Sequence, residues 1–222
     1  MFNLIVKDIA IQKKTILYTL LFTVFAPIAY FSMNLNGLAL YVLPPMATTY
    51  MFISFAAKYD EKNNCEIILN SLPLKRNEIV ISKYMSVFIF ATIGLGYSIL
   101  IGFIGKLTGL PMFDSSISLL HIVFVFASVC IFSSIFFPFY FKFGFIKMNL
   151  FNVILVMLIV FVPTTAIEYV GSNPNNILVQ KFNYFISNTS SFTQNSLALT
   201  IGLIFFLTSL MISIRIYNNK EF

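Results

Sequence analysis

Side chains able to do chemistry are few in this chain and widely scattered. One histidine, His121, and two cysteines, Cys65 and Cys130, stand far apart, whereas zinc and iron–sulfur sites need several His or Cys ligands at short characteristic spacings. A phosphate-binding loop needs G-x-x-x-x-G-K-[ST], whose backbone donors and lysine cradle phosphates. The nearest approach, Gly105-Lys106-Leu107, lacks both the hydroxyl residue and the upstream glycine. Neither H-E-x-x-H nor G-x-S-x-G occurs, and His121 and Glu168 lie on different apolar runs, so an intramembrane hydrolase has no coherent residue set. What remains is a pattern suited to binding. Between Asp60 and Ile79, the residues Cys65, Ile68, Leu69 and Leu72 fall at i, i+3, i+4 and i+7, which places one apolar stripe on a short helix. Such a stripe either rests on lipid headgroups or inserts into a groove on a soluble partner. Pro73 ends that helix, and a second one begins around Lys75 to Asn77.

The elements that position this stripe are read from hydropathy. Hydrophobic residues make up 59% of the 222 positions and charged residues 10%, against roughly 45–50% and about 25% in soluble domains. A run of about 18 or more uncharged apolar residues is long enough to cross a bilayer. Six such runs are expected, at approximately 15–33, 38–57, 84–104, 117–141, 150–167 and 196–214. The chain therefore reads as a single all-α integral membrane domain over residues 1–222. The first fourteen residues, with Phe2, Leu4, Ile5 and Ile9 among Lys7, Asp8, Lys13 and Lys14, read as an amphipathic helix lying along the membrane surface. Pro138 is expected to kink or end the fourth run. Residues 171–195 form the longest outer loop, and their apolar centre is too pronounced for a plain solvated connection.

Charge gives these runs a direction. With the N-terminus inside, Lys7, Lys13, Lys14, Lys58, Lys62, Lys75, Arg76, Lys83, Lys142, Lys147, Arg215 and Lys220 lie on the inner side, 12 of the 14 basic residues. Only Lys106 and Lys181 lie outside. The positive-inside bias thus puts both termini and the 58–83 loop in the cytoplasm. The net charge of +6 needs no nucleic-acid partner to account for it. At the outer side, the fifth run contains Pro163 and is followed at once by Glu168. A carboxylate there serves as an interfacial anchor or as a polar element of an outer gate.

The run Asn70-Ser71-Leu72-Pro73-Leu74-Lys75-Arg76-Asn77-Glu78-Ile79-Val80-Ile81-Ser82-Lys83-Tyr84 resembles the segment between the second and third spans of bacterial ABC exporter permeases of the type-2 superfamily. Leu4-Ile5-Val6-Lys7-Asp8 with Gln12-Lys13-Lys14 is similar to the amphipathic first helix of that family. The likeness in layout covers the whole chain, and the motif about fifteen residues. It implies a permease without its own catalytic activity, in a bacterial cell membrane, working as a homodimer or with a second permease. Cytoplasmic ABC ATPase subunits would carry the ATP and Mg. Residue by residue, Ile68, Leu69 and Leu72 would face the ATPase, Pro73 would end the coupling helix, and Glu66, Lys75, Arg76 and Glu78 would form the polar rim. The expected cargo, exported outward, is hydrophobic or amphipathic, such as a peptide, toxin or antimicrobial peptide. A substrate-capturing subunit of an energy-coupling vitamin importer is the alternative, although it does not need so long an inner loop.

The topology has a direct check. A membrane-impermeant thiol reagent applied to intact cells should leave Cys65 unmodified and label it after permeabilisation; labelling of Cys65 in intact cells overturns the assigned orientation.

Overall fold

A computed structural model describes residues 2–32, 37–109 and 117–220, and every regular element among them is helical. In chain order these are α1 (Phe2–Ile11), α2 (Lys13–Ser32), α3 (Gly37–Lys62), α4 (Cys65–Ser71), α5 (Arg76–Leu107), α6 (Leu119–Phe143), α7 (Asn149–Ser172), α8 (Ile177–Asn188) and α9 (Ser191–Asn218). Residues 33–36 and 110–116, the latter with Pro111 and Asp114, lie outside the described residues.

Among the described residues three helices, α5, α6 and α9, are long and apolar enough to cross a membrane, or four spans if α1 and α2, bent by 67°, count as one broken span. The helices α3 and α7, with 26 and 24 residues, reach about 39 and 36 Å at 1.5 Å per residue. Several expected boundaries move. The sixth helix runs through Pro138 to Phe143 and stops at Gly144, whose φ of +79° ends the helix. Pro138 therefore does not end it, because neighbouring packing tolerates the one lost backbone bond near a helix end. The seventh extends to Ser172, past the expected limit at 167, and the ninth begins at Ser191. The apolar centre of the 171–195 segment is the helix α8, with Val179 buried and Ile177, Leu178 and Tyr184 exposed.

The packing is inverted relative to a water-soluble bundle. On α2, Thr15, Thr19 and Thr23 are buried while Leu17, Tyr18, Leu21 and Phe25 face outward. In hydrocarbon there is no penalty for an exposed Leu, so small polar residues take the helix contacts, where backbones approach closely. Thr19 and Thr23 satisfy their hydroxyls within their own helix: Thr19 donates to the carbonyls of Thr15 and Ile16, and Thr23 to those of Thr19 and Leu20. The Gln12 amide donates to the Phe52 carbonyl at 2.8 Å and pins the α1–α2 corner onto α3.

Glycines set two of the other contacts. Gly94 of α5 lies against α3 so closely that a Cβ there would sit 2.6 Å from Thr48 Oγ1 and 2.9 Å from the Pro45 carbonyl oxygen. Gly202 of α9 packs on α6, where a Cβ would meet the Ala127 carbonyl oxygen at 3.1 Å. Towards the end of the bundle that carries both described chain ends, aromatic rings fill the core. Tyr84 packs on Phe137 and Phe206, and Tyr50 on Phe132. The Tyr84 hydroxyl lies 2.7 Å from Ser209 Oγ and 2.8 Å from Ser213 Oγ, and Ser209 donates to the Ser134 carbonyl. These bonds lock α5, α6 and α9 into one body. The α7 helix stands at the periphery, tied to α3 by the buried pair of Tyr50 and Asn152.

Replacing Gly94 with valine should lower stability by about 1–3 kcal/mol through overpacking against the Pro45 carbonyl. Gly96→Ala, where nothing lies within 4 Å, is the neutral control. Thermal unfolding of the detergent-purified protein reads both.

A candidate docking site and the charged cluster behind it

The local rules that shape the candidate site act within a few residues. Asn64 adopts a left-handed conformation, φ 50° and ψ 36°, which breaks α3 from α4. Asparagine tolerates this region better than most residues. Leu72, preceding Pro73, is extended at φ −81° and ψ 155°, as the proline ring requires of its neighbour. Lys75 is also extended, and α5 then runs unbroken from Arg76 to Leu107. The expected second helix of the loop thus continues directly into the third apolar run.

The short α4 does not present its four-residue stripe on one outward face. Leu69 is 8% exposed and belongs to the core cluster, whereas Ile67, Ile68 and Leu72 are 62, 57 and 47% exposed. Periodicity identifies an apolar side of α4, but the helix has two apolar edges. Leu69 anchors it inward and Ile67, which the sequence pattern missed, joins the outer surface. Pro73 and Lys75 are exposed beside them, and Glu78 is half-buried. The expected rim is also redistributed: Glu66 pairs with Lys220 at 2.7 Å, and Arg76 donates to the carbonyls of Asn218 and Lys220. Both are turned towards the chain's own α9 end.

Behind α4 lies a cluster that the sequence did not single out. Lys83 of α5 donates to Asp8 Oδ1 of α1 at 2.7 Å and to Asp60 of α3, while Lys7 reaches Asp60 Oδ1 at 2.8 Å and Asp8 at 3.5 Å. Asp8 and Asp60 are 1 and 2% exposed and Lys83 is 7% exposed. Buried charges persist only when paired and hydrogen-bonded, and two lysines with two aspartates make this group neutral. Burial alone would raise the Asp60 carboxyl, but the Lys83 and Lys7 ammoniums outweigh it and hold the group below its ordinary value. Burial and the neighbouring Asp60 carboxylate push the Cys65 thiol up. The cluster fixes α1, the end of α3 and the start of α5 to one another, and α4 is suspended between the last two.

A polar cleft of about 270 Å³ opens beside α4, lined by Asn64, Glu66 and Ile67 on one side and by Lys142, Gly144 and Lys147 on the other. Its floor is fixed by Glu61, which accepts from the Ile146 amide at 2.9 Å. A side chain at Gly144 would meet that carboxylate, the Cβ standing 2.9 Å from Glu61 Oε1.

The other sequence candidates lie elsewhere. Glu168 is exposed on the last turns of α7, and the side chain of Pro163 lies outside the described residues. His121 caps a helix, with its Nδ1 2.9 Å from the Ser118 amide and 2.7 Å from Ser118 Oγ, which closes a capping box at the start of α6. Among the described residues, no three His, Cys, Asp or Glu side chains converge as a metal site would require.

Lys83→Met should cost about 3–5 kcal/mol, because it leaves two buried carboxylates to share the single, partly exposed Lys7, and Asp60→Asn in the same chain should recover part of that loss. The pH dependence follows from the Asp60 shift. Its value in the folded protein lies below the ordinary 3.8, so its contribution is complete above that pH and is lost as pH falls through the folded value. The unfolding midpoint should therefore hold steady from neutrality down to that range and drop below it; a loss of stability centred near neutral pH contradicts the cluster.

A family model described as "ABC-2 family transporter protein" matches residues 3–218, nearly the whole chain. No match was found among curated proteins or among solved structures.

Proposed function

Since the chain belongs to the ABC-2 family of transporter proteins, as the layout and the Ser71-Leu72-Pro73 segment led one to expect, we propose that it is the permease of an exporter driven by separate ABC ATPase subunits. The observation that carries this reading is the exposed apolar surface of Ile67 and Ile68 on a short helix and of Leu72 and Pro73 in the link that follows it. An apolar knob on a braced support suits insertion into a groove on a soluble partner. Lys75 and Glu78 supply its rim, while Leu69, Glu66 and Arg76 support it from inside. ATP and Mg belong to the partner, which docks on the cytoplasmic side.

The proposed topology has six crossings with both termini in the cytoplasm of a bacterial cell. It draws support from the two described chain ends, which meet at one end of the bundle: Lys7 and Asp8 bond Asp60 and Lys83, and Asn218 bonds Asn77. α1 would lie along the inner surface, and α8 would form the outer cap of the pathway, with Glu168 near its rim. The permease would function as a dimer, with itself or with a second permease.

A hydrophobic or amphipathic cargo, such as a peptide or toxin, fits the interior. The hydroxyls at span depth that would serve a polar path are mostly bonded to their own helices: Ser128 to Val125, Ser133 to Val129 and Ser134 to Ile131. An apolar groove of about 340 Å³ lies between α3, α6 and α7, lined by Met46, Ile131, Ile135, Leu155, Leu158 and Val162. No observation favours the vitamin-importer alternative.

The paired substitution Ile68→Asp and Leu72→Asp should abolish most of the association with the ABC ATPase, since buried apolar anchors each contribute about 2 kcal/mol, roughly 30-fold in affinity. The amount of permease in the membrane should not change. Leu69→Asp should instead lower folded yield. Quantitative co-purification of the ATPase reads the outcome, and recovery equal to the unsubstituted protein would remove α4 from the docking role.

A further inference from the structure

Glu66 and Arg76, which the family resemblance assigns to the rim of a docking surface, are both taken up by the last described turn of the chain. Four side chains on two elements converge there. Lys220 Nζ pairs with Glu66 of α4 at 2.7 Å, and Asn70 of α4 donates to the Tyr217 hydroxyl at 3.0 Å. Arg76 Nη1 of α5 donates to the carbonyls of Asn218 at 2.9 Å and Lys220 at 3.1 Å, and Asn218 Nδ2 donates to Asn77 Oδ1 at 2.9 Å. Helix C-termini leave carbonyls without intrahelical partners, and a cation near them is favoured. Here the cation comes from another helix, so the end of α9 is completed only when it lies against the 66–77 segment. Tyr217 is fully buried, with its ring edge-on to Phe141 at 5.3 Å, which keeps the turn in register.

We propose that the segment Tyr217–Lys220 is a clip that positions the docking helix and makes its orientation follow α9. The contacts bracket the extended link at residues 72–75, so they fix α4 from one side and the start of α5 from the other. The clip then continues into the bundle. Ser213 and Ser209 of α9 bond the Tyr84 hydroxyl, and Ser209 also bonds the Ser134 carbonyl of α6. A displacement of α4 by a docked ATPase is therefore passed to α9 directly, and through it to α5 and α6, as well as through the α3–α5 framework. Glu66, Asn70, Arg76 and Lys220 are positioning residues in this scheme. Their significance for transport rests on the docking role of α4, whereas the clip itself stands on the contacts alone.

Hydrogen–deuterium exchange on the purified full-length chain in lipid nanodiscs tests the clip without any partner. Lys220→Glu should speed amide exchange across residues 65–71 by roughly tenfold, as expected if opening of α4 must break a charge-assisted bond. Exchange in α6 and the overall unfolding midpoint should stay unchanged. The charge-reversed pair, Glu66→Lys with Lys220→Glu, should restore protection, which a loss of bulk packing would not allow. Where Lys220→Glu fails to fold, Glu66→Gln carries the same test, with the same local acceleration expected. Unchanged exchange at 65–71 in the single variants, or acceleration that the reversed pair does not correct, overturns the proposal. The docking role is read on different variants, at Ile68 and Leu72, so failure of one does not imply failure of the other.

Discussion

The structure depends on a small neutral group of four charges. Lys83 holds Asp8 and Asp60 from α5, and Lys7 completes the set from α1. None of the three buried members would tolerate its position alone, because an unpaired charge removed from water costs several kcal/mol. Together they require α1, α3 and α5 to meet at one point. That meeting fixes the angle at which the first helix approaches the bundle and the places from which α4 hangs. A purely apolar junction would allow these helices to slide, whereas ion pairs with hydrogen-bond geometry define a register.

Away from this point, the bundle is ordered by closeness more than by hydrophobic burial. Lipid gives no advantage to hiding a leucine, so contact surfaces use Thr15, Thr19, Thr23, Gly94 and Gly202, where backbones come near each other and dispersion contacts accumulate. Hydroxyls in these contacts return their protons to carbonyls one turn earlier, so they cost little and do not make a hydrophilic channel. Tyr50 and Ser209, which bond across helices to Asn152 and to the Ser134 carbonyl, depart from this, and so does Tyr84. Its hydroxyl reaches across to two serines of α9, and Tyr84 follows Lys83 of the charged cluster directly in the chain.

Those two features give α4 its mechanical character. It is seven residues long, too short to hold a helical conformation by itself in water, and its apolar contribution to the core is Leu69 alone. Its shape is therefore imposed by its surroundings: the break at Asn64, the proline after Leu72, and the end of α9 lying across Glu66 and Asn70. In the proposed docking role, an element so constructed would transmit force because it has little freedom of its own. As a member of the ABC-2 family, the chain is a membrane component of a transporter, and the proposed docking surface lies at this corner.

The amino-acid sequence determined those properties that arise between near neighbours. Apolar runs announced a membrane protein, Leu72-Pro73 announced the end of one helix, and the run after Lys75 announced the start of the next, because helix periodicity and proline geometry act over four residues or fewer. The family likeness was legible in the same stretch. Tertiary structure alone decided which edge of α4 faces outward. Leu69 and Ile68 are adjacent and equally apolar, and only the presence of the α5 and α9 ends makes one inward. It also decided that Asp8, Asp60 and Lys83 form a cluster. These residues are 75 and 23 positions apart in their pairings, and each taken singly looks like any loop charge near a membrane surface. Glu66 and Arg76 likewise read as a solvent rim until Lys220 and Asn218 are placed beside them. Coulombic pairing and burial depend on distance in space, and a one-dimensional pattern carries no such distance beyond the reach of a helical turn.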